Sequence, residues 1–396
     1  MITRGIDHDA TRQTNVAETT IVTVTGRKQQ DDFIRVADRI YKDCPQYVPD
    51  FRKDLRDMLS QRRQEELAAC QLQAFVAYQG DEPVGRIIGI VNNKANLRWN
   101  THNVRFAMLE FIDDPQVSQT LLDAVAQWGR SQGMDHLQGP MGITDFDKEG
   151  MLVEDFELSG SMADIYNPPY YARHMESYGL TKEVDWLQIR INIPTEVPAR
   201  YARTAQYVRE QMGLHIRTLT MREIWREHYA QKVFRLLNEA YKPIFGFSEL
   251  SEKQVEGFVK KFLPIIDLAL IPIVENEQHE VVGVAVTMAS LTDALKKSHG
   301  RLWPIGWLHL LRAIKWKHED HADMLLVAVR PDYQGMGVNA LFFDYLIPVY
   351  NRYGFKWAET GPQLEDNVRE LSQWKPLHPD YVKRRRCYSK ELTISN

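Results

Sequence analysis

The sequence predicts a mixed α/β fold, with helices on an α+β mixed sheet, built as two similar halves. Short β-branched runs alternate with amphipathic helical patterns along the chain. The order of these elements in the first half returns in the second. At 396 residues the chain also exceeds one ordinary core and suits two domains of roughly 150–200 residues each. One large α/β domain is the alternative.

The first half has a regular series of strand and helix patterns. Apolar residues at positions 121, 122, 125 and 128 fall on one helical face, and the turn at 79–82 joins two strand-like runs. The expected elements are strand 20–25, helix 29–41, strands 74–78, 83–92 and 106–111, helix 117–131, strand 136–139 and a short helix within 167–180.

The second half repeats this series. Its expected elements are strand 215–220, helices 221–240 and 252–262, strands 268–275, 281–289 and 324–329, helix 338–353, strand 357–360, helix 367–374 and strand 381–392. Pro194–Pro198 is the expected boundary between the halves. We therefore expect a disordered tail over 1–18, an N-terminal domain over 19–194 and a C-terminal domain over 199–396.

Composition excludes several classes of protein. A formal net charge of −4 gives no overall attraction to nucleic acid, and none is expected as a partner. The three cysteines, Cys44, Cys70 and Cys387, form no CxxC pair, which argues against a disulfide framework or a zinc knuckle. No window has the roughly 20 apolar residues of a membrane span, and the polar start lacks a signal-peptide pattern. A cytoplasmic location is expected.

The strongest local signal is a strand, a glycine-containing loop and a helix over 324–346. Such a unit directs backbone N–H groups and the positive helix end at one point, which favours an anion. Gly335 and Gly337 allow the main chain to approach a bulky diphosphate. The Gly-Lys-Ser/Thr triplet of a Walker loop is absent, and so is the third glycine of a dinucleotide fingerprint. A helix start with an ordinary turn is the alternative.

These residues resemble the GNAT superfamily of acyl-CoA N-acyltransferases, whose pyrophosphate loop reads Gln/Arg-x-x-Gly-x-Gly/Ala. The matching segment is Gln334, Gly335, Met336, Gly337, Val338 and Asn339. Asn339 departs from the family, which prefers glycine or alanine there. The resemblance implies two tandem GNAT-like domains, acyl-CoA as co-substrate and no metal. It also implies that Asn367 contacts pantetheine and that the amides of Val327, Ala328 and Val329 stabilise the oxyanion.

The first half shows the same series of elements without this loop. Asp113 and Asp114 stand where a diphosphate would bind, and like charge would repel it. We expect this half to be a structural or substrate-binding partner. The Asn-Pro-Pro-Tyr-Tyr motif at 167–171 is similar to that of paired-domain bacterial GNAT-like proteins. A capped helix start followed by two core tyrosines explains the motif equally well.

Acyl transfer to an amine needs a base, an oxyanion site and an acid for the leaving thiolate. Glu359, at the end of a strand, is the first candidate for the base, with Asp366 and His378 as weaker ones. For the acid the resemblance indicates Tyr388 or Tyr381 on the last strand. The alternatives are a surface carboxylate for Glu359 and half-buried packing for the tyrosines.

A tryptophan-rich insertion occupies 290–323, where GNAT domains usually have a short turn. Over 296–318 it carries basic residues, no acid and three tryptophans. Trp307, Leu310, Leu311 and Ile314 fall on one helical stripe. A basic amphipathic helix of this kind is typical of a membrane-surface or lipid-handling element. Packing of the stripe against the rest of the fold is the alternative.

The sequence therefore predicts an acyl-CoA-dependent N-acyltransferase. The insertion favours a long acyl chain or a lipid-like amine, and the paired-domain resemblance extends to bacterial enzymes that acylate sphingoid bases, as a ceramide synthase does. Peripheral contact with the inner face of the membrane through 296–318 accompanies this hypothesis. The alternatives are an acetyltransferase of a small soluble amine and a non-catalytic acyl-CoA-binding protein.

Overall fold

A computed structural model describes residues 18–60, 70–316 and 318–393. The tail expected over 1–18 lies outside the described residues except for Glu18, and Lys317 of the insertion lies outside them as well. Within these ranges no helix combines the length and the apolar character that crossing a membrane requires.

The strands alternate with helices in the predicted order. They are β1 (Thr19–Thr23), β2 (Cys70–Gln79), β3 (Glu82–Asn92), β4 (Asn103–Phe111), β5 (His136–Gly139), β6 (Met151–Leu152), β7 (Thr181–Asn192), β8 (His215–Arg217), β9 (Ile273–Glu275), β10 (Val281–Ala289), β11 (His321–Val329), β12 (Trp357–Thr360), β13 (Gln363–Leu364) and β14 (Asp380–Glu391).

The helices cover both faces of the sheet formed by these strands. They are α1 (Arg27–Ile40), α2 (Arg52–Leu59), α3 (Asn93–Trp99), α4 (Pro115–Ser131), α5 (Tyr170–Ser177), α6 (Ala199–Met212), α7 (Met221–Arg226), α8 (Tyr229–Ala240), α9 (Glu252–Phe262), α10 (Thr292–Ser298), α11 (Gly306–Lys315), α12 (Asn339–Tyr353) and α13 (Val368–Ser372).

One mixed sheet runs through both halves in the order β1-β2-β3-β4-β5-β14-β7-β12-β11-β10-β9-β8. The halves exchange their last strands. β14, from the C-terminal half, pairs antiparallel with β5, and β7, from the N-terminal half, pairs antiparallel with β12. β7 and β14 also pair with each other, so the two halves share backbone hydrogen bonds across their junction.

Each half keeps its own hydrophobic core. In the N-terminal half α4 packs on the sheet through Val117, Leu121 and Val125, all fully buried. In the C-terminal half α12 and α6 pack on the sheet and on each other, and Tyr201 stacks on Phe343. Burial of these apolar faces is the main stabilising contribution to each half.

Most elements begin or end within a few residues of their predicted bounds. The single helix expected over 221–240 is two, because His228 takes a left-handed conformation between α7 and α8. The strand expected over 268–275 begins with a 3₁₀ turn, and only Ile273–Glu275 is extended. The predictions lacked β7 and α6, the elements on either side of the boundary, and also the short helices α2 and α3.

Candidate functional site

The parallel pair β11 and β12 opens into a gap halfway along β11. The two strands pair only from His321–Trp357 to Met324–Thr360. On its other side β11 pairs with β10, and a register shift between Val286 and Thr287 leaves Leu325 as a bulge. A bulge bends its strand and increases the local twist, which turns β11 away from β12. The gap therefore begins at Leu325.

Backbone groups of β11 point into this gap. The carbonyl of Val327 accepts a hydrogen bond from the Tyr241 hydroxyl at 3.0 Å, and that of Val329 accepts one from Gln334 Nε2 at 2.9 Å. In a strand the N–H of a residue points to the same side as its carbonyl. The amides of Val327 and Val329 therefore also face the gap, where no neighbouring strand binds them.

The loop after β11 leads directly into α12. Gly335 and Gly337 have φ values of +80° and +89°, which glycine adopts without strain. A Cβ on Gly335 would have no heavy atom within 4 Å, so open space lies beside the main chain there. No side chain caps the start of α12. The N–H groups of Ala340 and Leu341 donate to the carbonyls of Gly337 and Val338 at 3.0 Å, but no side chain blocks the positive dipole end of the helix, which fits a diphosphate.

α13 and α6 hold the start of α12 in place. The Asn339 side chain donates a hydrogen bond to Gln373, next to α13, and Tyr201 of α6 donates one to the Gln373 carbonyl at 2.6 Å. Asn367 caps α13 through its own side chain, which accepts from the Glu370 N–H. Asn339 and Asn367 therefore each have a structural partner on or next to α13.

In the N-terminal half, carboxylates of the protein itself occupy the equivalent helix start. Asp114 caps α4 by accepting from the Gln116 N–H at 2.9 Å. Asp113 accepts from His174 at 2.8 Å and from Arg173 at 2.9 Å, and these hydrogen bonds lower its pKa. Both carboxylates lie where an anionic diphosphate would otherwise approach. This arrangement favours the expectation that only the C-terminal half binds coenzyme A.

Glu359 is buried in a network of cations. Arg190 binds one carboxylate oxygen at 2.8 Å, while Lys383 and Gln188 donate to the other. Lys383 is itself only 2% exposed, because the register of β14 shifts at this point and turns the side chain inward. Both oxygens of Glu359 therefore have partners, and neither is free to take a proton from an amine.

The other predicted catalytic residues lie apart from one another. The strand exchange places Tyr388 in the hydrophobic core of the N-terminal half, where its buried hydroxyl has no hydrogen-bond partner. Tyr381 is half exposed at the beginning of β14. Asp366 and His378 are exposed on either side of α13. The structure thus brings 327–329 and 334–339 together and places Asn367 at the start of α13, but it does not bring Tyr388 to them.

A cavity of about 550 Å³ is lined by both halves and reaches the gap. Its volume lies within the range of about 300–1,000 Å³ that is usual for ligand sites. The N-terminal half contributes the strand bulge at Met108 and the loop 140–149, and the C-terminal half contributes Leu325, Leu326 and aromatic residues of α8 and α9. The lining is mainly apolar and includes ten charged side chains, seven of them carboxylates.

The insertion 290–323 forms α10 and α11. Leu310 and Ala313 are buried, and Ile314 packs with them against Val48 and Phe51 of the N-terminal half. Part of the predicted stripe is therefore core. Trp303 and Trp316, by contrast, are 79% and 72% exposed. Further exposed apolar side chains of this segment are Ile305, Trp307 and Leu308.

One group of side chains in the described part of the chain has the spacing of a metal site. His215, Glu275 and His279 approach one another at the outer edge of the sheet. Arg217 lies 3.3 Å from the same Glu275 oxygen that faces both histidines, and its positive charge would oppose a metal cation. The cluster therefore supports no metal.

Several features of this site have no signal in the sequence. Tyr241 ends an amphipathic helix and reads as a core aromatic residue. The loop 140–149 lies more than 170 residues before β11, and nothing in its composition relates it to the gap. A run with three carboxylates, Asp145, Asp147 and Glu149, is the one local feature that could have drawn attention to it.

Comparison with known proteins supports a tandem GNAT fold. No family model matches the chain. It is 25% identical over 370 residues to protein YghO of Escherichia coli, covering 91% of this chain and 92% of that protein. It is 24% identical over 389 residues to the bacterial ceramide synthase of Caulobacter vibrioides, covering 95% and 98%.

Two solved structures have the same architecture. A tandem GNAT protein from the clavulanic acid biosynthesis pathway superposes with a TM-score of 0.56 at 13% identity, covering 96% of this chain and all of that one. A GCN5-related N-acetyltransferase from Sphaerobacter thermophilus gives 0.51 at 12% identity, covering 96% and 97%. The predicted fold, two GNAT-like units in tandem, is confirmed.

Proposed function

We propose that this chain is an acyl-CoA-dependent N-acyltransferase whose cofactor binds in the C-terminal half. The observation that carries the proposal is the gap between β11 and β12, which opens beside the uncapped start of α12. Acyl-CoA bound in the gap would place the diphosphate of coenzyme A at 334–339. The thioester carbonyl would face the amides of Val327 and Val329, which can stabilise the oxyanion.

The remaining contacts of coenzyme A follow from the same arrangement. The open space at Gly335 and the exposed Met336 permit close approach of the diphosphate, and Val338 leads into the helix. Asn367, at the start of α13, would contact pantetheine, and Asn339, at the start of α12, would lie beside the diphosphate. Ala328 lies between the two valines whose amides face the gap.

We further propose that the acceptor is a lipid-like amine and the acyl group a long chain. The apolar cavity between the halves can hold a chain close to the gap, which a small soluble amine would not require. The similarity to a bacterial ceramide synthase supports a sphingoid base as acceptor.

The exposed part of the insertion supports a peripheral contact with a membrane. Trp303, Ile305, Trp307 and Leu308 form an apolar patch at the start of α11, and Arg301 and Arg312 are exposed near it. Tryptophans beside basic side chains suit the interface of an anionic bilayer. Lys296 takes no part in this face, because it is partly buried and donates to Ser159 at 2.6 Å.

Thiol release from acyl-CoA on addition of an amine tests the proposal. We expect release with palmitoyl-CoA and sphinganine to exceed release with acetyl-CoA and a short primary amine. The opposite preference would identify an acetyltransferase of small amines. Tight binding of acyl-CoA without thiol release for any amine would identify a non-catalytic binding protein. Mass spectrometry of molecules that co-purify with the protein would identify the acceptor directly.

A further inference from the structure

The carboxylates that line the cavity, within the described residues, fall into two groups. Most of them have a hydrogen-bond or ion-pair partner on the protein. These pairs are Asp50 with Lys148, Asp54 with Lys261, Glu110 with Tyr41 and Tyr171, Asp164 with Ser161 and Gln188, and Asp147 with the Thr144 N–H. Asp145 and Glu149 form the second group. Both oxygens of Asp145 and Oε1 of Glu149 are buried without a hydrogen-bond partner of good geometry, and the donors close enough to lower the pKa of Asp145 by hydrogen bonding are the backbone N–H groups of Asp145 and Ser248.

A buried carboxylate without a partner is costly, so its retention needs an explanation. The loop that carries the two residues is well anchored. The Gly150 N–H donates to the Pro140 carbonyl at 3.0 Å and closes the loop at its base. Arg105 donates to the carbonyls of Gly142 and Gly246, at 3.1 and 2.8 Å, and so ties the loop to the C-terminal half. The position of the two carboxylates is therefore fixed by the fold.

The loop extends to the proposed thioester site. Phe146 stacks on Tyr241 with ring centroids 6.2 Å apart, and Tyr241 donates to the Val327 carbonyl in the gap. The negative charge of Asp145 acts on Tyr241 across this contact and helps to raise the tyrosine pKa, which burial raises most. Leu325 and Gly361, at the mouth of the gap, line the same cavity as Asp145 and Glu149.

We propose that Asp145 and Glu149 bind the ammonium group of a long-chain amine acceptor and take its proton before acyl transfer. The alkyl chain of the acceptor would lie in the apolar part of the cavity, and its nitrogen would face the gap. The N-terminal half would thus supply the acceptor site for a reaction whose acyl donor binds the C-terminal half. This inference rests on the proposed N-acyltransferase function.

The proton balance of the step is complete. One carboxylate accepts a proton from R–NH₃⁺, and the neutral nitrogen attacks the thioester carbonyl. The C–N bond forms and the C–S bond breaks. The nitrogen loses its second proton as the amide forms, the thiolate takes up one proton to give free coenzyme A, and the carboxyl group returns its proton to solvent.

The electrostatic environment supports this role. Burial raises the pKa of Asp145 to about 7, and burial together with the charge of Asp145 raises that of Glu149 well above its ordinary value. At a pH near these pKa values, two interacting carboxyl groups share one proton, so one is ionised while the other is protonated. The groups that face them are Asp147 on the same loop, Arg105 of β4, Cys387 of β14 and Tyr241 of α8.

The kinetic test compares two nucleophiles of equal chain length. One is a primary alkylamine, which is protonated at pH 7, and the other an O-alkylhydroxylamine, which is not. With palmitoyl-CoA as donor, Asp145→Asn and Glu149→Gln should lower kcat for the alkylamine by ~10²–10⁴-fold, the usual size of general-base catalysis. Both substitutions should change kcat for the O-alkylhydroxylamine little, because this nucleophile has no proton to lose before it attacks. Glu157→Gln, an isosteric change at a neighbouring exposed carboxylate, is the matched control.

The pH profile gives a second readout. In the unmodified protein, alkylamine turnover should rise with pH through about 7, as the carboxyl pair ionises. Turnover by both variants should no longer rise with pH in this way. Equal losses for the two nucleophiles, or no loss for either, would overturn the proposal, because the residues would then only support the loop or play no part.

A stability measurement separates misfolding from lost chemistry. The pKa of Asp145 is raised in the fold, so the unfolded chain ionises first and stability falls as pH rises from about 4 through about 7. Replacing the two carboxyl groups by amides, which do not ionise, removes this loss of stability. The double variant Asp145→Asn/Glu149→Gln should therefore melt at a temperature no lower than the unmodified protein at pH 8. A lower melting temperature would mean that the carboxylates have partners in the fold, which contradicts the proposal.

Binding of a cation that cannot react tests the site without catalysis. Calorimetry with dodecyltrimethylammonium, below its micelle concentration, should show binding to the unmodified protein and to Glu157→Gln but not to the double variant. Equal binding by all three proteins would overturn the cation site. If the cation binds as expected but no amine releases thiol from acyl-CoA, the proposed function fails while the ammonium site stands.

Discussion

Glu359 and Lys383 form a buried ion pair where the strands of the two halves cross. Neither side chain is more than 6% exposed, and Arg190 and Gln188 complete the network. Removing one partner of such a network leaves an uncompensated charge away from water. At the scale of single residues, the surroundings of a carboxylate thus decide whether its oxygens are free for chemistry.

Glu359→Gln should therefore lower the free energy of unfolding by about 3–5 kcal/mol, because Lys383 and Arg190 lose their counterion. Denaturant unfolding measures this loss. Glu154→Gln, which removes the exposed partner of Arg384, is the control and should cost about 0–1 kcal/mol. If Glu359→Gln instead keeps its stability and loses kcat, Glu359 is the base that the sequence predicts.

Gly335 provides a test of the coenzyme A loop. Glu at this position places a negative charge in open space beside the start of α12 and should abolish acyl-CoA binding in calorimetry. Gly354→Glu is the matched control, since Gly354 ends the same helix with a similar φ of +76° and an equally open Cβ position. If both variants bind acyl-CoA alike, 334–339 is not the diphosphate site.

Gly337 is a poorer position for this experiment. A Cβ there would lie 2.7 Å from Thr204 Cγ2 of α6, so any side chain disturbs helix packing as well as the loop.

At the scale of elements, α11 shows how one helix divides its apolar residues. Leu310 and Ala313 face the core, whereas Trp307 and Leu308 face outward beside the exposed Trp303. Because the helical pattern repeats every 3.6 residues, a stripe read from sequence cannot distinguish these two faces when both are apolar. Leu311 is partly buried, which makes it unsuitable for a surface substitution.

Trp303→Glu/Leu308→Glu should abolish flotation with anionic vesicles at low salt, because it adds negative charge to the exposed patch. Flotation of the unmodified protein should weaken as salt rises, since charges are screened over about 8 Å at physiological ionic strength. Trp225→Glu, an exposed tryptophan on α7, is the control and should float normally. Failure of the unmodified protein to bind either anionic or neutral vesicles would refute the membrane contact.

At the scale of the whole molecule, the exchange of β7 and β14 joins the halves. Each strand completes the sheet of the other half, and together they bring the loop 140–149 next to the gap. A site lined by both halves depends on this junction. The exchange also means that the expected boundary at 194–198 cuts the chain after a strand on which the C-terminal half relies.

A chain cut after residue 194 should show this dependence. Residues 199–396 alone leave the edge of β12 unpaired and separate β14 from β5, so we expect no cooperative unfolding transition. Mixing 1–194 with 199–396 should restore a cooperative unfolding transition, measured by circular dichroism during heating. A sharp transition for 199–396 alone would show that the exchange is not required for folding.

Local sequence patterns predict the repeated order of strands and helices, the fold class and the glycine loop at 334–339. These follow from local periodicity, glycine positions and helix starts, which neighbouring residues decide. The exchange of β7 and β14, the burial of Glu359 and Tyr388 and the cavity that joins Asp145 and Glu149 to β11 were decided only by tertiary structure. They depend on pairing between segments far apart in the chain, and no local pattern encodes which distant strand or charge becomes a neighbour.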